Sequence, residues 1–235
     1  ITVIFQVLSN GDVLYAFSGK QTGAREVNRK GEEVWSFISK SPQVLGCERL
    51  PNGNTLIGAQ GPPMAIEVDP VGRTLHVTPL STNYGPYHQQ VRAIHKLPNG
   101  HILASHEGEG AIREYDLQGK TVWEFTGVPM AGEATRLPNG NTLIACGTQK
   151  RVIEVTPEKK IVWEFGAGDA PELNLTWVFS AQPLRNGNIL VGNFLRGQEG
   201  KGAHAFEVTR NKKVAWAWAN HELVKSITMA RVIGE

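Results

Sequence analysis

The sequence contains little cysteine, few aromatic residues and no surplus of charge. Two cysteines in 235 residues cannot form the disulfide framework of a small secreted domain, and a chain of this length buries a core without one. Lysine and arginine number 24 against 22 acidic residues, which argues against a nucleic-acid partner. No apolar run reaches the roughly 18–20 residues of a membrane helix. We therefore expect a folded, globular chain without membrane insertion.

Glycine and proline, in contrast, are abundant, with 26 and 13 residues, and they mark a turn that recurs along the chain. The pattern Leu-x-Asn-Gly occurs five times, at intervals of 42, 47, 40 and 47 residues. Its copies end at Gly11, Gly53, Gly100, Gly140 and Gly187. Asn-Gly between alternating apolar residues is typical of a type I′ β-hairpin. A period of 40–47 residues is typical of the blades of a β-propeller.

A second strand–turn–strand unit follows each hairpin, so that every repeat contains four antiparallel strands, A to D. One position of strand C is always glutamate: Glu26, Glu67, Glu114, Glu154 and Glu207. One position of strand D is tryptophan in four copies: Trp35, Trp123, Trp163 and Trp216. Because these residues recur in nearly every blade, we interpret them as structural. The tryptophans are expected to pack blade against blade, and the glutamates to bind a backbone or cationic partner.

The repeats predict an all-β fold, a single β-propeller domain over residues 1–235. The predicted repeats are 1–42, 43–89, 90–130, 131–176 and 177–225, followed by a strand in 226–235. Ile227–Ile233 aligns with strand A, and propellers often close by combining strands from both termini, which removes exposed sheet edges. We therefore expect six blades, with the sixth incomplete in this sequence. The alternative is a five-bladed propeller with an additional terminal strand.

The repeat also resembles a known family. LPNGNTLIA, from Leu137, followed by RVIEVTPEKKIVWEF, from Arg151, is similar to the blades of bacterial quinoprotein-like (PQQ-like) β-propeller proteins, and the resemblance covers nearly the whole chain. It implies the fold and an exported protein, periplasmic or extracellular, with the cytoplasm as the alternative. Quinone-dependent dehydrogenases of that superfamily have more blades, a tryptophan docking motif and a calcium site. This chain has too few blades, and its tryptophans lie in VWEF.

No cofactor is assigned for these reasons. Neither pyrroloquinoline quinone nor a divalent metal is supported by a motif, because the HExxH and CxxC spacings are absent and the seven histidines are scattered. Cys47 and Cys146 lie in different blades, and a disulfide requires Cα atoms within about 7 Å. We expect two buried free thiols.

Loops of unequal length indicate where a site lies. The A–B and C–D turns are short and uniform, whereas the connections on the other face vary and are long at residues 80–90, 166–177 and 193–203. Function is commonly carried by such variable loops on a repetitive scaffold. We therefore predict a ligand-binding site on the loop face at the central channel. It would use polar residues that depart from the repeat: His88, Arg92, His106, Glu133, Asn193 and Arg196.

Arg92 is the main candidate, because Leu45 and Phe179 occupy the same position in sister blades. A buried guanidinium needs several acceptors. Either it forms an ion pair with Glu133 of the adjacent blade, or it holds an anionic group of a ligand. The sequence thus favours a propeller that binds a small polar or anionic ligand, or a protein. The alternative is a propeller enzyme, either a metal-dependent lactonase or lyase or a quinoprotein-like oxidoreductase.

Overall fold

The computed structural model describes residues 2–233, with side chains from residue 4 onward. These residues form five four-stranded antiparallel sheets, each with its strands in chain order. The chain divides into two compact units, one up to Thr126 and one from Gly127 onward. The first unit contains three sheets and the second contains two. The predicted all-β class and four antiparallel strands per blade are confirmed.

The first unit contains twelve strands among its described residues. The first sheet consists of β1 (Thr2–Val7), β2 (Val13–Phe17), β3 (Thr22–Val27) and β4 (Glu33–Ser39). The second consists of β5 (Gln43–Arg49), β6 (Thr55–Gln60), β7 (Met64–Val68) and β8 (Thr74–Pro79). The third consists of β9 (Ala93–Lys96), β10 (Ile102–His106), β11 (Ala111–Tyr115) and β12 (Thr121–Thr126).

The described part of the second unit contains eight strands. The fourth sheet consists of β13 (Ala134–Arg136), β14 (Thr142–Ala145), β15 (Arg151–Val155) and β16 (Ile161–Gly166). The fifth consists of β17 (Val178–Pro183), β18 (Ile189–Asn193), β19 (Ala205–Val208) and β20 (Val214–Trp218). A 3-10 helix at Pro171–Leu173 lies in the connection between them.

The hairpin turns differ from the predicted type I′ geometry. In all five, the glycine amide donates to the carbonyl of the leucine three residues earlier, over 2.8–2.9 Å. The glycine has a φ of 84–87°, whereas the asparagine before it does not have a positive φ. This is a type I turn followed by a glycine bulge. Proline precedes the asparagine in three copies and fixes φ near −65°, which starts a type I turn.

The expected sixth, incomplete blade is wrong, because the structure has five blades. Within the residues that the structure describes, Ile227–Ile233 forms no strand. The segment lies beside β17, where the Ala230 amide donates to Ser180 Oγ at 3.4 Å and the Val232 amide to Gln182 Oε1 at 2.9 Å. These backbone groups bind side chains instead of a neighbouring main chain, so no ladder forms. The alternative, a five-bladed propeller with an additional terminal strand, gives the correct number of blades. Its additional strand is absent among the described residues.

Apolar side chains fill the space between consecutive sheets of each unit. Leu14 and Ile57 are fully buried in the cluster between the first and second sheets, and burying such a side chain contributes about 1.5–3 kcal/mol. Trp35 packs against this cluster, and Trp163 packs against the one between the fourth and fifth sheets. For these two blades, the predicted packing role of the tryptophan is confirmed.

Three of the recurring glutamates, Glu26, Glu67 and Glu154, bind cations of the following blade. Glu26 accepts from Arg49 Nη2 at 2.7 Å, and Glu67 pairs with Lys96. The Arg49 guanidinium also lies 4.9 Å above the Trp35 ring. The same residue types that define the repeat therefore connect one blade to the next.

The two cysteines are free and buried, as predicted. Burial raises the pKa of both thiols, to about 12 for Cys146. In the described part of the chain, no helix has the length and apolar character needed to cross a membrane.

Candidate functional site

The connection from β8 to β9, residues 80–92, is held in place by charged side chains of the third blade. Glu109 accepts hydrogen bonds from Thr82 Oγ1 at 2.8 Å and from the Asn83 amide at 3.2 Å. Arg113 binds the same carboxylate with both Nη atoms, at 2.7 and 2.6 Å. This guanidinium, more than any other group, lowers the pKa of Glu109 to about 2. The first half of the loop is therefore fixed by an ionised carboxylate.

His106 lies fully buried beneath this loop. Its Nδ1 donates to the Gln90 carbonyl at 2.7 Å, and its Nε2 lies 2.7 Å from the Tyr115 hydroxyl. That hydroxyl is also 2.8 Å from the Ser81 carbonyl oxygen. Burial lowers the pKa of His106 to about 4, so the ring is neutral at pH 7. Both ring nitrogens are engaged, and the histidine connects the loop to β10 and β11.

Arg92 and Glu107 form a buried ion pair within the third blade. Arg92 is 6% exposed and Glu107 1%. Arg92 Nε donates to Glu107 Oε2 at 2.6 Å, and Nη2 binds the same oxygen. Burial lowers the pKa of Arg92 and raises that of Glu107, and each charge opposes the shift of the other. In the second unit Glu133 pairs with Arg231. The predicted pairing of Arg92 with Glu133 involves residues of different units and stays a prediction.

His88 is exposed and lies close enough for its charge to lower the pKa of Glu107. Its Nδ1 is 2.8 Å from Gln43 Oε1, which also accepts from Gln60 Nε2 at 3.1 Å. Because the amide oxygen accepts, the network assigns a proton to Nδ1 and a lone pair to Nε2 of the neutral ring. Among the described residues, Nε2 has no hydrogen-bond partner. Gln43 thus fixes the orientation of the imidazole through Nδ1, and Nε2 remains available as a hydrogen-bond acceptor.

Gln89 and Tyr84 join the second half of the loop to the ion pair. The Tyr84 hydroxyl donates to Gln89 Oε1 at 3.1 Å, and Gln89 Nε2 lies 3.4 Å from Glu107 Oε1. The Tyr84 ring lies against Gly108, where an added Cβ would come within 2.5 Å of a ring carbon. Glycine is therefore required for this close approach. Next to His88 in the loop, Tyr87 is 50% exposed.

The other two predicted residues lie in the second unit. Asn193 is fully buried. Its Oδ1 accepts from the Thr176 amide at 2.9 Å, and its Nδ2 donates to the Ala203 carbonyl at 2.9 Å, so that it connects two long loops of the fifth blade. Arg196 is exposed in the loop that follows β18. That these residues and Glu133 share one site with His88 and Arg92 stays a prediction.

Glu107 was not predicted from the sequence, although the pattern contained a signal. Arg92 and His106 were found because they differ from their counterparts in the other blades. The next position along strand B holds Ser18 in the first blade, Gln60 in the second and Glu107 in the third. The same comparison one residue further would have placed a carboxylate beside Arg92.

Three clefts among the described residues lie at the other end of the strands, beside the Leu-x-Asn-Gly turns. Their volumes are about 530 Å³ between the first and second blades, 380 Å³ between the second and third, and 270 Å³ between the fourth and fifth. Leucines and prolines of the turns line all three. Because the same lining recurs, we interpret these clefts as seams between blades, and we place the candidate site at the loop end of the third blade. Within residues 2–233, no group of three or more His, Cys, Asp or Glu side chains is arranged to hold a metal ion.

No family model matches the sequence. No curated protein matches it either. The fold is similar to that of a Bacteroides caccae protein of unknown function, with a TM-score of 0.81 and 26% identity over 92% of this chain and 80% of the other. Virginiamycin B lyase from Staphylococcus aureus has a TM-score of 0.66 at 12% identity, covering 91% of this chain and 68% of the lyase. The WD40 β-propeller domain of Doa1 has a TM-score of 0.60 at 17% identity, covering 79% and 58%.

These similarities confirm the β-propeller fold that the repeat predicted. They do not confirm membership of the quinoprotein-like family, which stays a prediction.

Proposed function

We propose that this chain is a binding propeller that holds a small polar ligand at the loop end of the third blade. The contact residues are His88, Gln89 and the Arg92–Glu107 pair. The observation that carries the proposal is the exposed His88 imidazole, held through Nδ1 by a buried amide and lying close to a buried ion pair. A loop that is fixed before binding reduces the entropy lost when a ligand is held.

The fold itself does not require the ion pair. In the second blade, Leu45 and Gln60 occupy the positions of Arg92 and Glu107, and that blade has the same four strands. A buried ion pair contributes little net stability, because the cost of desolvation offsets the attraction of the charges. Because the second blade folds without charges at these two positions, recognition explains the buried pair of the third blade better than folding does.

The same residues support a second candidate, general acid–base catalysis. Burial raises the pKa of Glu107, and a neighbouring imidazole with a lone pair at Nε2 would be a suitable base. Solved structures with the same fold include a virginiamycin B lyase, so a fold of this kind can carry lyase activity. We rank catalysis second because His88 is exposed and the ion pair lies beneath the surface.

A ligand-observed NMR screen tests the binding function. A library of neutral, anionic and cationic small molecules would be compared between the wild type and the double variant Arg92→Leu/Glu107→Gln, which installs the residues of the second blade. Arg25→Gln/Glu33→Gln removes an exposed ion pair of the first blade and is the matched control. We expect compounds that bind the wild type and the control but not the loop-end variant. Binding that is equal in all three proteins would contradict the proposal, as would a screen without hits.

A further inference from the structure

We infer that the ligand of this site is a neutral saccharide, an inference that rests on the proposed function. The first argument is charge. Arg92 is paired with Glu107, and Arg113 with Glu109, so the cations of this loop end are matched by carboxylates of the same blade. An incoming carboxylate or phosphate would meet the Glu107 charge at the position where it approaches Arg92. The structure therefore weakens the expectation that Arg92 binds an anionic group.

The second argument is the chemistry of the groups near the surface. His88 offers an acceptor at Nε2, and Gln89 carries an amide with both donor and acceptor atoms. Sugar hydroxyls donate and accept at the same atom, so they can satisfy both kinds of group without adding charge. Anionic ligands gain less here, since Arg113 also binds Glu124 at 3.0 Å and three carboxylates therefore already face two guanidinium groups.

The third argument is an exposed aromatic residue that precedes these polar residues in the chain. Tyr87 is 50% exposed and immediately precedes His88. Its backbone is anchored, because the Tyr87 carbonyl accepts from the Gln90 amide at 3.2 Å and its Cβ lies against Gly61. An aromatic face packs well against the apolar face of a pyranose ring, and a tyrosine loses little conformational entropy when it does so. Ring and polar groups together match the two kinds of surface that a sugar presents.

Saturation-transfer NMR with defined probes tests the inference. Cellobiose, maltose and N,N′-diacetylchitobiose serve as neutral saccharides, and succinate and citrate as anions. Tyr87→Ser removes the ring, and Trp216→Ser is the matched control, since Trp216 is 47% exposed in the second unit. We expect at least one saccharide to bind the wild type and the control with the same Kd, and to bind Tyr87→Ser about tenfold more weakly, as loss of a single aromatic contact predicts.

Each other outcome overturns a different statement. If succinate or citrate binds at the third blade and no saccharide does, the ligand class is wrong while the binding function stands. If a saccharide binds equally to Tyr87→Ser, the placement of the ligand on this loop is wrong. If no saccharide of the panel binds, the inference is wrong, and the proposed function is decided separately by the library screen with Arg92→Leu/Glu107→Gln.

Discussion

The second and third blades of the first unit have the same strand arrangement but different side chains at the loop end. Three positions near the ends of strands A and B differ: Leu45 against Arg92, Ala59 against His106, and Gln60 against Glu107. All six side chains are buried. At this end of the strands, the second blade thus has buried apolar and amide groups, and the third blade has buried ions and an imidazole.

The preceding connection explains part of this difference. Residues 40–42 lead into the second blade, whereas residues 80–92 lead into the third. His106, Glu109 and Arg113 all bind atoms of the longer loop, so their polarity has a structural explanation. Arg92, the last residue of that loop, pairs with Glu107, and Gln89 Nε2 lies 3.4 Å from the same carboxylate. The buried charges of the third blade thus accompany its longer loop, and the Arg92–Glu107 pair, which lies near the exposed His88, is the part that we propose for binding.

The largest expected effect is on the buried ion pair. Arg92→Leu places the second-blade residue opposite an unpaired buried carboxylate, and we expect the free energy of unfolding to fall by about 3–5 kcal/mol. Arg92→Leu/Glu107→Gln replaces both charges and should lie within about 1 kcal/mol of the wild type. Urea unfolding of the three proteins measures both values. A double variant as unstable as the single one would mean that the third blade does need its ions.

The next effect concerns pH and His106. Its folded pKa of about 4 lies below the ordinary value of 6.5, so the unfolded chain takes up the proton first as the pH falls. The stability from this group is therefore fully present above pH 6.5 and is lost between pH 6.5 and 4, by up to about 3 kcal/mol. The double variant His106→Ala/Tyr115→Val carries the residues of the second blade at both positions. Its free energy of unfolding should change less with pH between pH 6.5 and 4 than that of the wild type. An unchanged slope in the variant would assign the pH dependence to other groups.

The fold was predictable from the sequence because a blade is a local unit. The Leu-x-Asn-Gly turns and the recurring glutamates and tryptophans define strands that pair with their neighbours in the chain. Ile227–Ile233 has the same apolar pattern as strand A, yet forms no strand in the described residues. Pattern alone was insufficient there, because a strand also requires main-chain partners, and these are set by the surrounding structure.

The candidate site was only partly predictable for a related reason. Arg92 and His106 stand out because each interrupts a position that is apolar or small in the second blade. Glu107 pairs with Arg92 across 15 residues of sequence, at the end of strands whose register places Ala93 opposite Ser105. The contact follows from that register and not from the spacing of the two residues in the sequence. Because glutamate usually lies on the surface, the sequence alone did not lead us to expect Glu107 in a buried position.

A smaller effect is expected for Glu109, the carboxylate that holds the loop. It has no counterpart in the second blade, where Pro62 occupies its position. Glu109→Gln weakens the bonds to Arg113 and Asn83, and we expect a loss of about 1–2 kcal/mol, since the carboxylate is partly exposed. Hydrogen exchange of the Asn83 amide should accelerate more than that of amides in β10. Equal exchange in variant and wild type would show that the loop is held without this carboxylate.

The smallest effect comes from a comparison of the same Glu→Gln change in an exposed and in a buried ion pair. Glu33→Gln makes the same chemical change as Glu107→Gln, but in the Arg25–Glu33 pair, whose side chains are 33% and 45% exposed. We expect a change in unfolding free energy below about 1 kcal/mol, which disappears in high salt because exposed charges are screened. Glu107→Gln leaves the buried Arg92 charge without its carboxylate and should cost about 3 kcal/mol at any salt concentration. Urea unfolding at low and high sodium chloride compares the two. Similar salt dependence in both variants would contradict the distinction, because water would then reach the Arg92–Glu107 pair as freely as it reaches the surface of the first blade.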